Sequence, residues 1–268
     1  MIRKPAVAGY FYPSKTDELN SLIDSMVNPE QEKKKAIALV SPHAGYIYSG
    51  PVAGALYSSV SLPDKLILLG PSHRMIDSKF AMVREGSWLT PFGEVQVDSE
   101  MADKILSQSD LFTVDEAAHA NEHSIEVQLP FIQYFNKNVS MVPISIGYHA
   151  TFEELEELGA AVADCAGNAG QDVLIVASTD MSHYVSHEEA KRMDFQAIEE
   201  IQNLSPRGLY NVVTLKNISM CGVQPTAGVM VASLLLGAQS ASLIKYQTSG
   251  EISGNYGEVV GYAGIRIE

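Results

Sequence analysis

The chain has 268 residues, 46% of them hydrophobic and 19% charged, a balance that supports a buried core and argues against disorder. Eighteen basic against 32 acidic side chains leave a formal charge of -14, and no run of basic residues occurs, so neither nucleic acid nor an anionic membrane is expected as a partner. No apolar run reaches the length of a membrane span, the N-terminal stretch lacks a signal-peptide core, and the two cysteines, Cys165 and Cys221, make no disulfide framework, so a cytoplasmic setting is expected.

In chain order, Leu19, Leu22, Ile23 and Met26 recur at helical spacing. An apolar strand-like run at 36–40 then stops at Ser41-Pro42 and delivers His43. A second run, 65–69, is followed by Gly-Pro-Ser and His73. Residues 78–97 alternate around Gly86 and Gly93 and read as a hairpin excursion. Asn121 is read as the cap of a helix with Glu122, His123 and Ser124 in its first turn. On that helix Ile125, Leu129 and Ile132 form the core stripe, while His123 and Glu126 share a face. The run 139–146 is the next strand, and Thr151 with Glu154 writes a capping box before a long helix that carries Cys165 on its apolar side.

The run 173–177 leads into STDMSH, with Asp180 and His183. Ser186 and Glu189 repeat the capping pattern, and Ser205-Pro206 and Gln224-Pro225 each place proline at a first helical position. The pair 242–248 and 258–267, joined by a Gly-rich stretch, predicts an antiparallel addition. Buried runs alternating with helical patterns predict an α/β fold. The expectation is one domain, 1–268, with a central mixed, mostly parallel sheet flanked by helices on both faces.

His43, His73 and His183 stand in the same relation to three buried strands. Ligands of open α/β sheets bind where such strands end, so three imidazoles are expected to aim at one crevice. His123 is assigned to the same site and His119 is a weaker candidate; His149 and His187 are read as surface or capping residues. Cys221 precedes a proline-started helix, where a thiolate is favoured as nucleophile or metal ligand. The same residue also reads as a small buried hydrophobe.

Five segments carry a resemblance when taken in order: SPHAGYIYSG, GPSHR, NEHSIEVQLPF, STDMSHY and MCGVQP, with AGYFYP near the start and VVGYAG near the end. Together they resemble the Memo family. The resemblance implies a fold like that of the class III extradiol dioxygenases, with a pocket at one sheet edge. It also implies that His43, His73 and Cys221 are metal ligands, with Asp180 and His183 as further pocket residues. The dioxygenases hold iron with two histidines and a carboxylate. Cys221 stands here where a carboxylate is expected, and a softer thiolate suits copper, zinc or iron in a different electronic setting.

Three functions follow as expectations. The first is a non-haem iron or copper redox enzyme, in which His183 or His123 acts as acid and base and Asp180 orients an imidazole. The second is a zinc hydrolase with His183 as base. The third is a non-catalytic pocket for a peptide, a phosphopeptide or a small molecule, bordered by Phe11, Tyr48 and Glu126, with Tyr10, Tyr12 and Tyr46 as further candidates or as ordinary packing. The resemblance also implies a radical-SAM-type partner protein.

Overall fold

The computed structural model describes residues 1–268. Its strands are β1 (Ile2–Arg3), β2 (Ala38–Ser41), β3 (Lys65–Pro71), β4 (Phe80–Met82), β5 (Ser87–Thr90), β6 (Gly93–Val97), β7 (Phe112–Val114), β8 (Ser140–Ile146), β9 (Val173–Ser178), β10 (His183–Val185), β11 (Ala241–Thr248) and β12 (Val259–Ile267). Its α-helices are α1 (Thr16–Asp24), α2 (Tyr46–Ser58), α3 (Ser99–Leu106), α4 (Glu116–Ala120), α5 (Leu129–Phe135), α6 (Phe152–Gly167), α7 (His187–Gln202), α8 (Pro206–Leu215), α9 (Val223–Leu235) and α10 (Gly250–Ser253). None is long and apolar enough to cross a membrane.

The 12 strands form one mixed sheet whose main path runs β1-β5-β6-β8-β3-β9-β2-β12-β10. β6, β8, β3, β9 and β2 are mutually parallel, and β12 closes against β2 in the antiparallel sense. β11 pairs antiparallel with β12, as the Gly-rich connection between them predicts. The central strands are apolar at successive positions because both faces of the sheet are covered. In β3, Leu66 and Leu68 enter one core while Ile67 and Leu69 enter the other. α2 and α5 cover the first face through Tyr46, Leu56 and Phe131. α6 and α9 cover the second through Leu155, Leu158 and Val229. The chain leaving β2 thus turns to one face and the chain leaving β9 to the other. Neighbouring strands that part in this way leave a crevice at their carboxyl ends.

The helix starts follow the side chains that satisfy them. Thr151 and Glu154 make both bonds of a capping box on α6. Ser186 caps α7, but the Glu189 carboxylate turns to Arg192 and leaves that box half made. Pro206 opens α8, whereas Pro225 is the third residue of α9, not the first. The helix expected from Asn121 begins later. Asn121 ends α4, residues 122–125 form a turn, and a 3-10 turn at Glu126–Gln128 leads into α5. The reason is that the Glu122 carboxylate, rather than the Asn121 side chain, accepts the N–H groups of His123 and Ser124 at 2.8 and 2.9 Å.

The N-terminal segment is tied down by a buried ion pair. Arg3 donates to the Glu126 carboxylate at 2.7 Å, to the His119 carbonyl at 2.7 Å and to the Glu122 carbonyl at 2.6 Å. Glu126 also accepts from the N–H groups of Ala6 and Val7 and from the Tyr12 hydroxyl, so each oxygen has two donors. Removing one partner of a buried pair strands the other charge. Glu126→Ala is therefore expected to cost roughly 3–5 kcal/mol, read from the urea midpoint, and to make residues 1–12 the first site of proteolysis. A loss well under 1 kcal/mol would place this segment outside the cooperative core.

Candidate metal centre

Two loops at the carboxyl ends of parallel strands and one turn between helices carry the three histidines. β2 delivers His43 two residues past its end and β3 delivers His73 two residues past its end. The turn after α4 supplies His123. Ligand atoms of these three imidazoles lie within 4.8 Å of one another. The rings of His73 and His123 stack at 4.5 Å, and His43 stands edge-on to both at 5.1 and 5.5 Å. His43 is buried, while about a third of the His73 side chain faces solvent, so the cluster opens on that side.

Hydrogen bonds fix which nitrogen is free in two of the rings, His43 and His73. The Ser178 hydroxyl has one proton, and it goes to the Ser124 carbonyl at 2.6 Å. The same oxygen accepts from Gln128 Nε2 at 2.8 Å, and Gln128 is oriented by the Tyr57 hydroxyl on its Oε1. His43 Nδ1, 2.9 Å from that oxygen, must then be the donor, which leaves the His43 Nε2 lone pair free. For His73, the Glu122 carboxylate accepts from Nδ1 at 2.9 Å and again frees Nε2. Glu122 further accepts from the His73 backbone N–H at 2.7 Å, so one carboxylate holds both the ring and the chain that carries it. Carboxylates behind imidazoles are the usual supports of metal-binding histidines.

The electrostatics match a cation site. Burial lowers His43 well below the usual histidine range, and the neighbouring His123 and His73 lower it further. Burial brings His123 down to about 4 despite Glu122. Burial would also lower His73, but the hydrogen bond and charge of Glu122, helped by Asp180, win and raise it. For Glu122, burial pulls upward and loses to the His73 bond and charge and the Ser124 N–H, which hold the carboxyl far below its ordinary value. Two of the three rings are thus neutral in the metal-free protein at neutral pH, the form in which imidazole binds a metal.

Cys221 lies beside this cluster, with its Sγ 3.3 Å from His43 Nε2 and 3.2 Å from the backbone nitrogen of Asp180, which donates to it. Gly222 lets it in: a Cβ there would come within 2.5 Å of the Thr179 side chain. The thiolate expected from the helix start does not form in the metal-free protein. Burial and the charge of Asp180 push the thiol far up, outweighing the backbone N–H of Asp180. Asp180 is buried and accepts the backbone N–H of His43 at 2.8 Å, so it holds the chain of that residue while Ser178 takes the ring. Burial raises its carboxyl to about 6, against the pull of the His43 N–H and of His183. His183 is outside the three-histidine group; its Nδ1 bonds the Ser219 carbonyl at 2.8 Å, leaving Nε2 free.

Phe11 packs against the His123 ring at 4.8 Å. Tyr48 lies partly exposed on α2, one turn past the loop that carries His43, and Tyr10 is fully at the surface. Tyr12 and Tyr46 are core residues whose hydroxyls bond Glu126 and the Val127 carbonyl. Glu126 does not border the crevice: its carboxylate is fully buried on Arg3 and the N-terminal segment. Glu122, Ser178 and Gln128 were not singled out by the sequence reading. The one signal for Glu122 was its place beside His123.

The pH dependence of the metal-free protein follows from these shifts. His43 and His123 are neutral when folded and gain protons on unfolding below pH ~6.5, so their contribution is full above that value and falls as pH drops, by up to ~1.4 kcal/mol per pH unit for each. His73, raised, acts with the opposite sign: its contribution is present below the unfolded value and is lost as pH rises through the folded one. Asp180, raised to about 6, and Asp194, also raised, act in the same sense as His73, while buried His119, lowered to about 4, joins His43 and His123. The three lowered imidazoles begin to lose their contribution at pH ~6.5, before the carboxyls offset them, so chelator-treated protein is expected to be less stable to urea at pH 5 than at pH 7. Equal midpoints at the two pH values would contradict the assignment of neutral rings.

Comparison with known proteins gives a consistent result. The family described as "Memo-like protein" matches residues 3–266. A MEMO1 family protein of Methanopyrus kandleri is 40% identical, over 99% of this chain and 98% of that one. A MEMO1 family protein of Desulfurococcus amylolyticus is 41% identical over the same shares. Among solved structures, an uncharacterized protein of Escherichia coli K12 superposes with a TM-score of 0.57 over 87% of this chain and all of that one; at 12% identity the likeness is one of fold.

Proposed function

The chain belongs to the Memo family, and from that premise we propose that it is a metal-dependent oxidoreductase using iron or copper at the strand-end crevice. The observation that carries the reading is the donor set: three clustered imidazoles, two with a defined free Nε2, and a thiol sulfur 3.3 Å from one of those nitrogens. Two donors at ~2.1 and ~2.3 Å from one tetrahedral ion stand about 3.6 Å apart, so this separation suits a shared ion. Mixed imidazole and thiolate ligation suits copper, iron or zinc, and excludes the oxygen-seeking magnesium and calcium.

In this reading His43, His73 and Cys221 hold the ion, and His123 flanks it. A bound iron or copper ion would supply the redox couple. Glu122 and Ser178 keep two imidazoles turned toward it. Asp180, raised to about 6, can hold or release a proton near neutral pH, and His183 can take one at its free Nε2. Phe11 closes one side of His123. The same three imidazoles with an open position also suit a zinc ion activating water, and metal identity separates the two readings.

The test is anaerobic purification, metal analysis and spectroscopy. Iron or copper near one equivalent, cycling reversibly between oxidation states, supports the oxidoreductase. Zinc alone, with no tight binding of iron or copper, overturns it in favour of hydrolysis. His43→Ala is expected to empty the site. Cys221→Ala is expected to weaken metal binding and abolish any sulfur-to-metal charge-transfer band; an unchanged spectrum would remove the thiol from the ligand set. Glu122→Gln is expected to lower metal affinity on the order of 10–100-fold, measured by competition with a chelator.

A further inference from the structure

Three residues other than glycine have a left-handed backbone: Tyr184 at φ 58°, Leu204 at 52° and Asn217 at 51°. That conformation is unfavourable for any residue with a Cβ and persists only where its surroundings hold it. For two of the three the reason is structural. Leu204 and Asn217 each stand two residues past the end of a helix, α7 and α8, where a left-handed residue is a normal ending. The next N–H groups, of Ser205 and Ile218, close on the Glu200 and Val213 carbonyls at 2.9 Å, and Leu204 also packs on the core. Tyr184 ends no helix. It lies between His183 and Val185, which pair with the adjacent Val260 and Val259, so it is the extra residue of a β-bulge between β10 and β12. Glycine is the usual occupant of a left-handed bulge position. The Tyr184 side chain is 76% exposed, joins neither core and has one aromatic neighbour, the His183 ring at 6.0 Å. The fold alone would favour glycine here over tyrosine.

Bulges beside a site re-aim a side chain. This one sets an exposed ring next to His183, whose Nε2 is free and whose charge reaches His43 and Asp180. Burial raises the Tyr262 hydroxyl, and Asp180, Tyr48 and Tyr184 raise it further, so these three groups stand around one point. Tyr184 thus shares its neighbourhood with Asp180 and with the partly exposed ring that follows His43 on α2. Phe11 adds an aromatic face on His123. We propose that Tyr184 is a specificity-determining residue of the crevice, whose ring receives the planar aromatic part of a small substrate held at its other end by the metal centre. The proposal deepens the metal reading and rests on it for the position of that other end. Aromatic rings pair offset or edge to face, a contact that favours an aromatic ligand by about three- to tenfold.

The experiment compares two hydroxamates, whose chelating group takes iron, copper or zinc: 2-naphthohydroxamate, which carries an aromatic ring, and acetohydroxamate, which does not. Their affinities for the metal-loaded full chain are measured by calorimetry. Comparing the ratio of the two between variants removes the part due to chelation. Tyr184→Gly is expected to lower the naphthyl preference about three- to tenfold, with acetohydroxamate affinity and metal content unchanged. Tyr184→Phe, which keeps the ring, is expected to stay within about twofold of the unsubstituted chain. The thermal midpoint of Tyr184→Gly is expected to equal or exceed that of the unsubstituted chain, because glycine takes the left-handed backbone freely. An unchanged ratio in Tyr184→Gly overturns the proposal, whatever the midpoint does. If the chain takes up no metal, the metal reading falls by itself. Naphthyl fluorescence then follows binding to the metal-free chain, where the same dependence on Tyr184 upholds the proposal and a lack of saturable binding overturns it.

Discussion

The crevice depends on where one hydroxyl proton goes. Ser178 ends β9, and its proton is committed to the Ser124 carbonyl, so the oxygen can only accept from Gln128 and from His43. Gln128 in turn donates to the Pro42 carbonyl at the end of β2, and the Ser124 hydroxyl donates to the Pro71 carbonyl at the end of β3. Three strand ends and the turn at 122–128 are thereby cross-linked by side chains with no spare donor between them. A buried polar network is stabilising only when every member is satisfied, and a satisfied one permits few alternative arrangements. The imidazoles are therefore oriented by the chain before any ligand arrives.

Two glutamates four residues apart serve opposite sides of this turn. Glu122 backs His73 and sits beside His123, while Glu126 faces away and holds the N-terminal segment. Arg3 joins them, bonding the carboxylate of one and the backbone carbonyl of the other. Phe11, further along that segment, then packs on the His123 ring, and its carbonyl accepts the N–H of Tyr46 at the start of α2. The first dozen residues are thus part of the support of the crevice, which explains why a charged arginine is retained in an almost fully buried position.

Local signals in the sequence were enough for the frame. The apolar runs before His43, His73 and Asp180 are too short for helices and too continuous for half-buried strands, and they became β2, β3 and β9 at the centre of the sheet. Thr151 with Glu154 marked a helix start because both of its bonds are made within four residues. The site was legible only where it hangs on those strand ends. Glu122 was missed because its value lies in a contact with His73, 49 residues away, which no local pattern encodes. Glu126 was placed beside His123 by a helical spacing that the capping of the turn by Glu122 prevents. Local sequence could not choose between the two readings of Cys221, reactive thiolate or small buried group, for a related reason. A helix start favours a thiolate, but the enclosing β9 loop and the Asp180 carboxylate disfavour it more strongly.

Asp180 and Cys221 give the crevice its sense of charge. The backbone N–H of Asp180 points at the sulfur, while its carboxylate takes the N–H of His43, so the two groups share one short stretch of chain at the mouth of β9. Burial raises both, and the charge of Asp180 raises the thiol further. Without a metal the chain resolves this by keeping the thiol protonated and the carboxyl within reach of neutral pH. With a cation seated between His43 and Cys221, the penalty that keeps the thiol protonated turns into an attraction, and its proton would leave as the ion binds. His43 and His123, neutral already, have no such proton to lose, whereas His73, raised by Glu122, does. Under the proposed metal reading the affinity of the crevice should thus rise with pH through the sulfur and through His73, whose proton Glu122 holds, and not through the other two imidazoles. Cys221, the softest donor present, would then couple metal choice to proton release.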